Sequence, residues 1–417
     1  MEISLDAVRS GLDSAISLLE RSYLADGEVG GWYHQLSGPR PGPTATACTL
    51  LLLHQSGRRS AHEDQALGLL KSRQVPGDDP VRSGGWATNT SHGTPVLECT
   101  AWVARMLGEA GYLLDPRAPD ATAALRWLVA NQNDDGGWGS LRGATSKVWL
   151  TCLALRGINR LDPRSPAIAK GLDWLLAAQV DGHGFPQNPG RPATINHTAV
   201  ALITIGEVAP RLEPDRVRRA YTWLVGNLDL TRIDDPDARI EYYNVHDKVT
   251  GVQWQATMPH YGLPMAALAL LRHPDGPHPM AAAAIDALLR LQLDKGHWRN
   301  VEGSAEISIW SLVPAIEALQ AVQRLRIPDV TGANVALGPG VVVRPRGVTY
   351  AQLSRSRRGD VVREVVRKWW ASALLILAVL VGVPLSLLQW IEWKDFGLSL
   401  ILPLVTFVAQ QTWLRTR

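Results

Sequence analysis

Three blocks of this 417-residue chain read almost alike: Glu28-Val29-Gly30-Gly31-Trp32, Val81-Arg82-Ser83-Gly84-Gly85-Trp86 and Asn133-Asp134-Asp135-Gly136-Gly137-Trp138. Degenerate copies follow at Asp181-Gly182-His183-Gly184-Phe185 and Asp294-Lys295-Gly296-His297-Trp298. Each closes a stretch with the spacing of an amphipathic helix, and the copies recur roughly every fifty residues. A unit repeated at that period cannot bury its apolar face alone, so neighbouring units must stack and share one core.

Helical patterns of two kinds alternate along the repeats. Amphipathic stretches end before the Gly-Trp blocks, at 3–24, 61–74, 117–132, 165–179, 213–228 and 279–293. Nearly all-apolar stretches begin after them, at 44–56, 95–110, 146–158, 194–208, 259–272 and 305–325. A helix that is apolar all round is buried, whereas an amphipathic one faces solvent. Six outer and six inner helices predict an all-α (α/α)6 toroid with a central cavity. The links from outer to inner helices are long and the return links short, so the long loops gather at the end where inner helices start. Function concentrates on long loops held by a rigid scaffold.

The fullest units run Trp127-Leu128-Val129-Ala130-Asn131-Gln132 into Gly137-Trp138, and Trp174-Leu175-Leu176-Ala177-Ala178-Gln179 into Gly184-Phe185. This pattern resembles the repeat of squalene/terpene cyclases and protein prenyltransferase β-subunits, over about residues 5–325. The resemblance implies the same toroid and an isoprenoid or other lipid-like ligand in its cavity.

Beyond the repeats the composition changes. Gly and Pro interrupt 327–350, and Arg344, Arg346, Arg355, Arg357, Arg358, Arg363, Arg367 and Lys368 then make a basic segment. Trp369–Ile391 is 23 residues without a charge, a helix of about 34 Å that would cross a bilayer. A second apolar run follows from Phe396 to Leu414. The expected organisation is a toroid at 1–326, a linker and basic juxtamembrane segment at 327–368, and a transmembrane hairpin at 369–417. Positive-inside logic puts the toroid and both termini in the cytoplasm. The basic cluster belongs to that membrane flank, so no nucleic-acid partner is expected. Cys48, Cys99 and Cys152 lie far apart in apolar helices and form neither a disulfide framework nor a CxxC motif.

Terpene cyclases of this kind begin with an acidic motif that opens an inner helix. The corresponding position here reads Thr194-Ile195-Asn196-His197-Thr198-Ala199-Val200, and Asn-His cannot supply the strong carboxylic acid that alkene protonation needs. The zinc pattern of prenyltransferases is also incomplete. His197 and Cys152 lie one repeat apart and could bind zinc with a third ligand, but cysteines in apolar helices are ordinary core residues; no cofactor is expected. The catalytic candidates are His197, at the place of the cyclase acid, and Asp235, His246 and Asp247 in a loop at 229–258 that no other repeat has. Glu98 and Cys99, which open another inner helix, and the inner aromatics Trp102, Trp149, Tyr261 and Trp310 are the ligand-binding candidates. The function expected is a membrane-anchored toroid that binds an isoprenoid or lipid-like ligand, with catalysis left open and any activity cyclase- or transferase-like. The alternative is a non-catalytic toroid serving as a protein-binding sensor or membrane effector in a bacterial response or defence system, its partner engaged at the long-loop mouth.

Overall fold

The computed structural model describes residues 4–88, 93–230, 240–246, 251, 253–259, 261–299 and 307–325, with only the backbone of much of 240–246 and 253–259. The chain divides into two units, Met1–Val343 and Arg344–Arg417; all described residues belong to the first.

Twelve α-helices fall among the described residues. The inner ones are α2 (Pro43–Gln55), α4 (Leu97–Glu109), α6 (Val148–Leu161), α8 (Ile195–Val208), α10 (Gly262–Leu271) and α12 (Ile309–Arg324). The outer ones are α1 (Leu5–Arg21), α3 (Glu63–Arg73), α5 (Ala121–Ala130), α7 (Pro166–Ala177), α9 (Pro214–Asn227) and α11 (Pro279–Arg290). Outer helix α1 buries Val8, Leu12, Ala15, Ile16 and Leu19, one stripe at helical spacing. Inner helix α2 is buried without a break from Pro43 to Leu53. Each inner helix packs on the next in the order α2, α4, α6, α8, α10, α12, and α12 returns to α2. The six outer helices with the six inner ones make the toroid that the periodicity predicts.

The repeated Gly-Trp blocks are where the ring is stapled. The indoles of Trp32, Trp86, Trp138 and Trp298 are fully buried. Each donates its Nε1–H to a backbone carbonyl of the preceding outer helix: Leu19, Leu70, Leu128 and Leu288, at 2.6–2.8 Å. In three of them the backbone N–H is tied to the following inner helix, through the Thr46, Thr100 and Thr151 hydroxyls. The repeat glutamine spans to the next unit: Gln132 Nε2 donates to Gly136 O and Ala167 O, and Gln179 Nε2 to His183 O and Arg216 O. Gln292 does the same across the seam, donating to Gly11 O at 2.8 Å and so joining the last repeat to the first. At Gly136 the backbone has φ +90°, and a Cβ there would lie 2.7 Å from Lys170 O; only glycine allows both the left-handed turn and the close approach of α7. The first copy differs. Gly30 and Gly31 lie extended in strand β2 (Val29–Gly31), paired with β1 (Leu24–Asp26), and the positive φ falls on Gly27 between them.

The link from α9 to α10 departs from the pattern. It holds an antiparallel ribbon of β3 (Ile240–His246) and β4 (Gln253–Pro259), in register from Ile240↔Pro259 to His246↔Gln253. Pairing of 253–259 in β4 is why α10 begins at Gly262 and not at 259.

The membrane expectation is corrected. Among the described residues no helix is long and apolar enough to cross a membrane. The longest, α1, has 17 residues and carries Asp6, Arg9, Asp13 and Glu20; the apolar inner helices reach 16 residues in α12, about 24 Å against a hydrocarbon core of about 30 Å. The hairpin expected at 369–414 lies outside the described residues, as do the linker and basic segment. The fold class is therefore an all-α toroid, and a two-span integral membrane placement with cytoplasmic termini is not retained.

Candidate functional site on the toroid axis

Five of the inner helices carry residues three, four or seven apart that sort into three layers from the first helical turn to the last. On α4 the stripe is Glu98, Trp102, Arg105 and Glu109; on α6 it is Trp149 and Arg156; on α8, Asn196, Val200, Ile203 and Glu207. On α10 it is Met265, Leu268 and Arg272, and on α12 Trp310, Val313 and Glu317. Inner helices start at the long-loop end, so the first member of each stripe lies at the mouth and the last at the base.

The base is a closed set of ion pairs. Arg105 pairs with Glu317, and its Nε lies 3.2 Å from Glu109 Oε2. Arg156 meets Glu207 with Nε 2.8 Å from Oε2 and lies 3.8 Å from Glu317. Arg272 pairs with Glu207, and Arg160 reaches Glu109 at 3.4 Å. Burial works to raise the Glu207 carboxyl, but the Arg156, Arg105 and Arg272 guanidinium groups hold it well below the usual carboxylate range. Glu109 is likewise held low by Arg105, Arg160 and Arg156 against its burial. Sequence reading passed over this base. The available signal was charge inside otherwise apolar helices: Arg105, Arg156, Glu207 and Glu317 each interrupt one, and each falls at helical spacing from an axial residue above it.

Above the base lies an aromatic waist. Trp102, Trp149 and Trp310 line one axial cavity with Val200, Ile203, Met265, Leu268, Val313 and Pro314, and Arg156 and Glu317 form its floor. The cavity measures about 20 Å³. The Arg105 guanidinium sits 5.1 Å from the centroid of the Trp102 ring, a cation–π contact that joins waist to base. The Trp102 indole is 3 % exposed, and its Nε1–H has no acceptor among the described residues.

The mouth is polar and more loosely tied. Glu98 lies one turn above Trp102, part-buried, and burial pushes its carboxyl up to about 8. Its helix neighbour Cys99 is buried and accepts the Thr44 hydroxyl at 2.8 Å; burial drives the thiol pKa up, as it does for Cys48, and raises Cys152 to about 12. All three are thiols in core positions. Among the described residues no group of three His, Cys, Asp or Glu side chains converges to hold a metal. His197 is 2 % exposed, with Nδ1 2.7 Å from the Thr194 hydroxyl at the N-cap of its own helix. It does not line the axial cavity. Tyr261 is buried at the N-cap of α10, where Gly262 lets that helix approach Asn196: a Cβ there would sit 2.3 Å from Asn196 Oδ1. His246 pairs with Gln253 through the ribbon backbone; its side chain, with Asp235 and Asp247, lies outside the described residues.

The same ring of helical hairpins occurs in solved structures. A type II terpene cyclase from Scytonema shares 16% identity over 78% of this chain and 100% of its own, with a TM-score of 0.49. Protein geranylgeranyltransferase-I of Candida albicans shares 13% over 76% of this chain and 86% of its own, with a TM-score of 0.42. A family 76 glycoside hydrolase from a bovine Bacteroides thetaiotaomicron strain shares 10% over 76% and 78%, with a TM-score of 0.50. The fold is an all-α toroid of six helical hairpins. The closed ring of six hairpins carries that statement, and at these identities the likeness is one of fold alone. No protein-family model and no curated relative matches the chain.

Proposed function

We propose that this toroid is a binding protein for an amphiphilic small molecule of isoprenoid-like character, its polar end at the Glu98 mouth and its apolar end on the tryptophan waist, with no acid-initiated cyclisation. The observation that carries this reading is the layering of the axis: an acid at the mouth, an aromatic and aliphatic waist, and a base closed by ion pairs. A ligand with one polar end and one apolar end matches that order and enters from one side only. The isoprenoid class is adopted from solved toroids of this fold, among them the Scytonema cyclase in complex with geranylgeranyl dihydroxybenzoate; the polarity of the axis carries the argument, and that likeness does not. The ligand makes its room by moving the waist. Ligand pockets commonly measure about 300–1,000 Å³, far above the 20 Å³ here. Trp310, part-exposed in the first turn of α12, and Met265, unbranched and adaptable, are the residues free to swing. Against catalysis stands the chemistry at the opening of α8, where Thr194, Asn196 and His197 supply no carboxylic acid.

The small waist favours a second reading, in which the axis is a filled core and the mouth engages a protein partner. Solvent extraction of the purified full chain with mass spectrometry, followed by calorimetric titration with geranylgeraniol, separates the two. A co-purifying isoprenoid, or saturable heat that Trp310→Ala changes at least about tenfold, supports ligand binding. An empty extract together with no heat removes the first reading and leaves the second. A cyclised product after incubation would refute the non-catalytic part.

A further inference from the structure

The short turn that joins α10 to α11 reads Arg272-His273-Pro274-Asp275-Gly276-Pro277-His278, a loop stiffened by two prolines with an imidazole on either side of them. Both rings are half-buried, with centroids 6.0 Å apart, and both use the same atom in the same way. His273 Nδ1 accepts the Asp275 backbone N–H at 3.2 Å. His278 is the N-cap of α11, and its Nδ1 accepts the Met280 N–H, also at 3.2 Å. The other helix N-caps that accept through a side chain among the described residues are Ser4, Asp120, Thr194 and Ser308. Their oxygens accept at any pH near neutrality, whereas an imidazole does not. A ring nitrogen that accepts carries a lone pair, so each of these rings is neutral with its hydrogen on Nε2. A second proton turns Nδ1 into a donor facing a donor, and the hydrogen bond is lost.

The surroundings decide what that proton meets. From α9, Tyr221 packs edge-on against His273 with centroids 4.4 Å apart, and Arg218 faces the loop. From α10, Arg272 is held by Glu207 of α8. The carboxylate of the loop itself, Asp275, lies 3.6 Å from Arg218, which also reaches Asp215 at 3.4 Å. The first turn of α11 carries no charge. Burial holds the His273 ring below the ordinary histidine value; Asp275 opposes that effect, and His278 and Arg218 add to it. Burial lowers His278 in the same way. A cation at the start of α11 also meets the positive end of that helix, whereas the C-terminus of α10 favours one on His273. His278 is therefore the stronger half of the pair.

We propose that the α10–α11 turn is an acid-sensitive latch, closed while both imidazoles are neutral and released when protonation takes the acceptor from Met280 and Asp275. With folded-state pKa values below the unfolded one, the native turn binds fewer protons. The latch is then fully formed above about pH 6.5 and is lost as pH falls below it. Because α10 brings Met265 and Leu268 to the axial cavity, the latch holds one end of a cavity-lining helix.

The test is nitrogen NMR of the full chain with labelled histidine, assigned through His273→Asn and His278→Asn, together with hydrogen exchange. Both rings should carry the hydrogen on Nε2 at neutral pH and titrate below about 6.5. Protection of segment 272–282, corrected for the intrinsic rate, should fall at least about threefold between about pH 7.5 and pH 5.5. Segment exchange is the readout because Glu98, at about 8, moves global stability the other way over that range. Asparagine is among the best N-caps and accepts at every pH, so His278→Asn should keep the neutral-pH protection and remove most of the fall. A hydrogen on His278 Nδ1, a His278 midpoint at or above about 6.5, no fall in protection, or an equal fall in His278→Asn each overturns the latch. Should that variant fail to fold, the wild-type tautomer and midpoint still decide.

Discussion

The two ends of the toroid axis are built from the same six helices and treat charge in opposite ways. At the base, Arg105, Arg156 and Arg272 are matched by Glu109, Glu207 and Glu317, and the arginines of the central pair are almost wholly buried. At the mouth, the carboxyl of Glu98 has no charged partner among the described residues and is displaced upward by burial. Removing charges from water is costly, and only close geometry with further hydrogen bonds repays it. The base comes close to that condition, with Gln55 Nε2 also donating to Glu109 Oε1 at 2.6 Å, and leaves Arg105 Nη1 without an acceptor among the described residues. Glu98, with no ion pair among the described residues, does not meet it.

The largest effect should come from breaking the base. Glu317 touches both Arg105 and Arg156, so Glu317→Gln leaves two buried guanidinium groups short of a carboxylate. A loss of about 3–5 kcal/mol in unfolding free energy is expected, measured by urea titration. If Glu98→Gln costs more than Glu317→Gln, the contrast between the two ends is wrong.

Acid should reach the base next. Glu207 and Glu109 have folded-state pKa values below their unfolded ones, so their contribution is present above the unfolded carboxylate pKa and is lost as pH falls below it. The wild type should therefore lose roughly 2–3 kcal/mol between about pH 4.5 and pH 2. A Glu207→Gln variant, less stable at neutral pH, should show a shallower slope there; an equal slope would mean that Glu207 is not held low.

Glu98 should behave with the opposite sign. Its folded-state carboxyl lies at about 8, against an ordinary 4.5, so the native protein binds more protons than the unfolded chain between those values. Stability then falls as pH rises from about 4.5 to 8. The position of Glu98 in the first turn of α4 gives some of this back through the helix dipole, so a gain of roughly 2 kcal/mol is expected for Glu98→Gln at pH 8.5, shrinking toward zero at pH 4.5. A variant less stable than wild type at pH 8.5 would place a partner on that carboxylate.

What was readable in the sequence and what was not follows from how each feature is encoded. The toroid was readable because its staples recur: Trp86, Trp138 and Trp298 each keep a glycine one or two residues before them and an outer-helix carbonyl behind them. The fourth copy was readable only as degenerate, since Phe185 has no indole N–H to give. The ion-paired base was missed because its members are single charges spread over five helices and become neighbours only when the ring closes. The waist was half readable. Trp102, Trp149 and Trp310 stand out as inner aromatics, but their convergence on one small cavity depends on rotation of each helix about its axis, which periodicity leaves loose. The expected membrane hairpin came from length and charge alone, and no helix among the described residues meets that description.

The smallest expected effect concerns His197, the residue that sequence position favoured most. The place it occupies, at the opening of an inner helix, is where an acid would stand in a cyclase, and that placement made it the leading candidate. Its surroundings describe a helix start. The ring is 2 % exposed, Nδ1 lies on the Thr194 hydroxyl, and the His197 backbone N–H donates to that same oxygen at 3.3 Å. The Thr194 side chain thus serves as the N-cap of α8, and His197 steadies the cap. Replacing an N-cap partner costs about 0.5–2 kcal/mol, so His197→Ala should lose about 1 kcal/mol in urea titration and change ligand retention by less than about twofold. Thr194→Ala should cost a similar amount, and the double variant should cost less than the sum of the two, because both remove one interaction. Additive losses would separate His197 from the cap. A tenfold drop in geranylgeraniol affinity in His197→Ala, with stability intact, would instead return it to the binding site and move the polar end of the ligand from α4 toward α8.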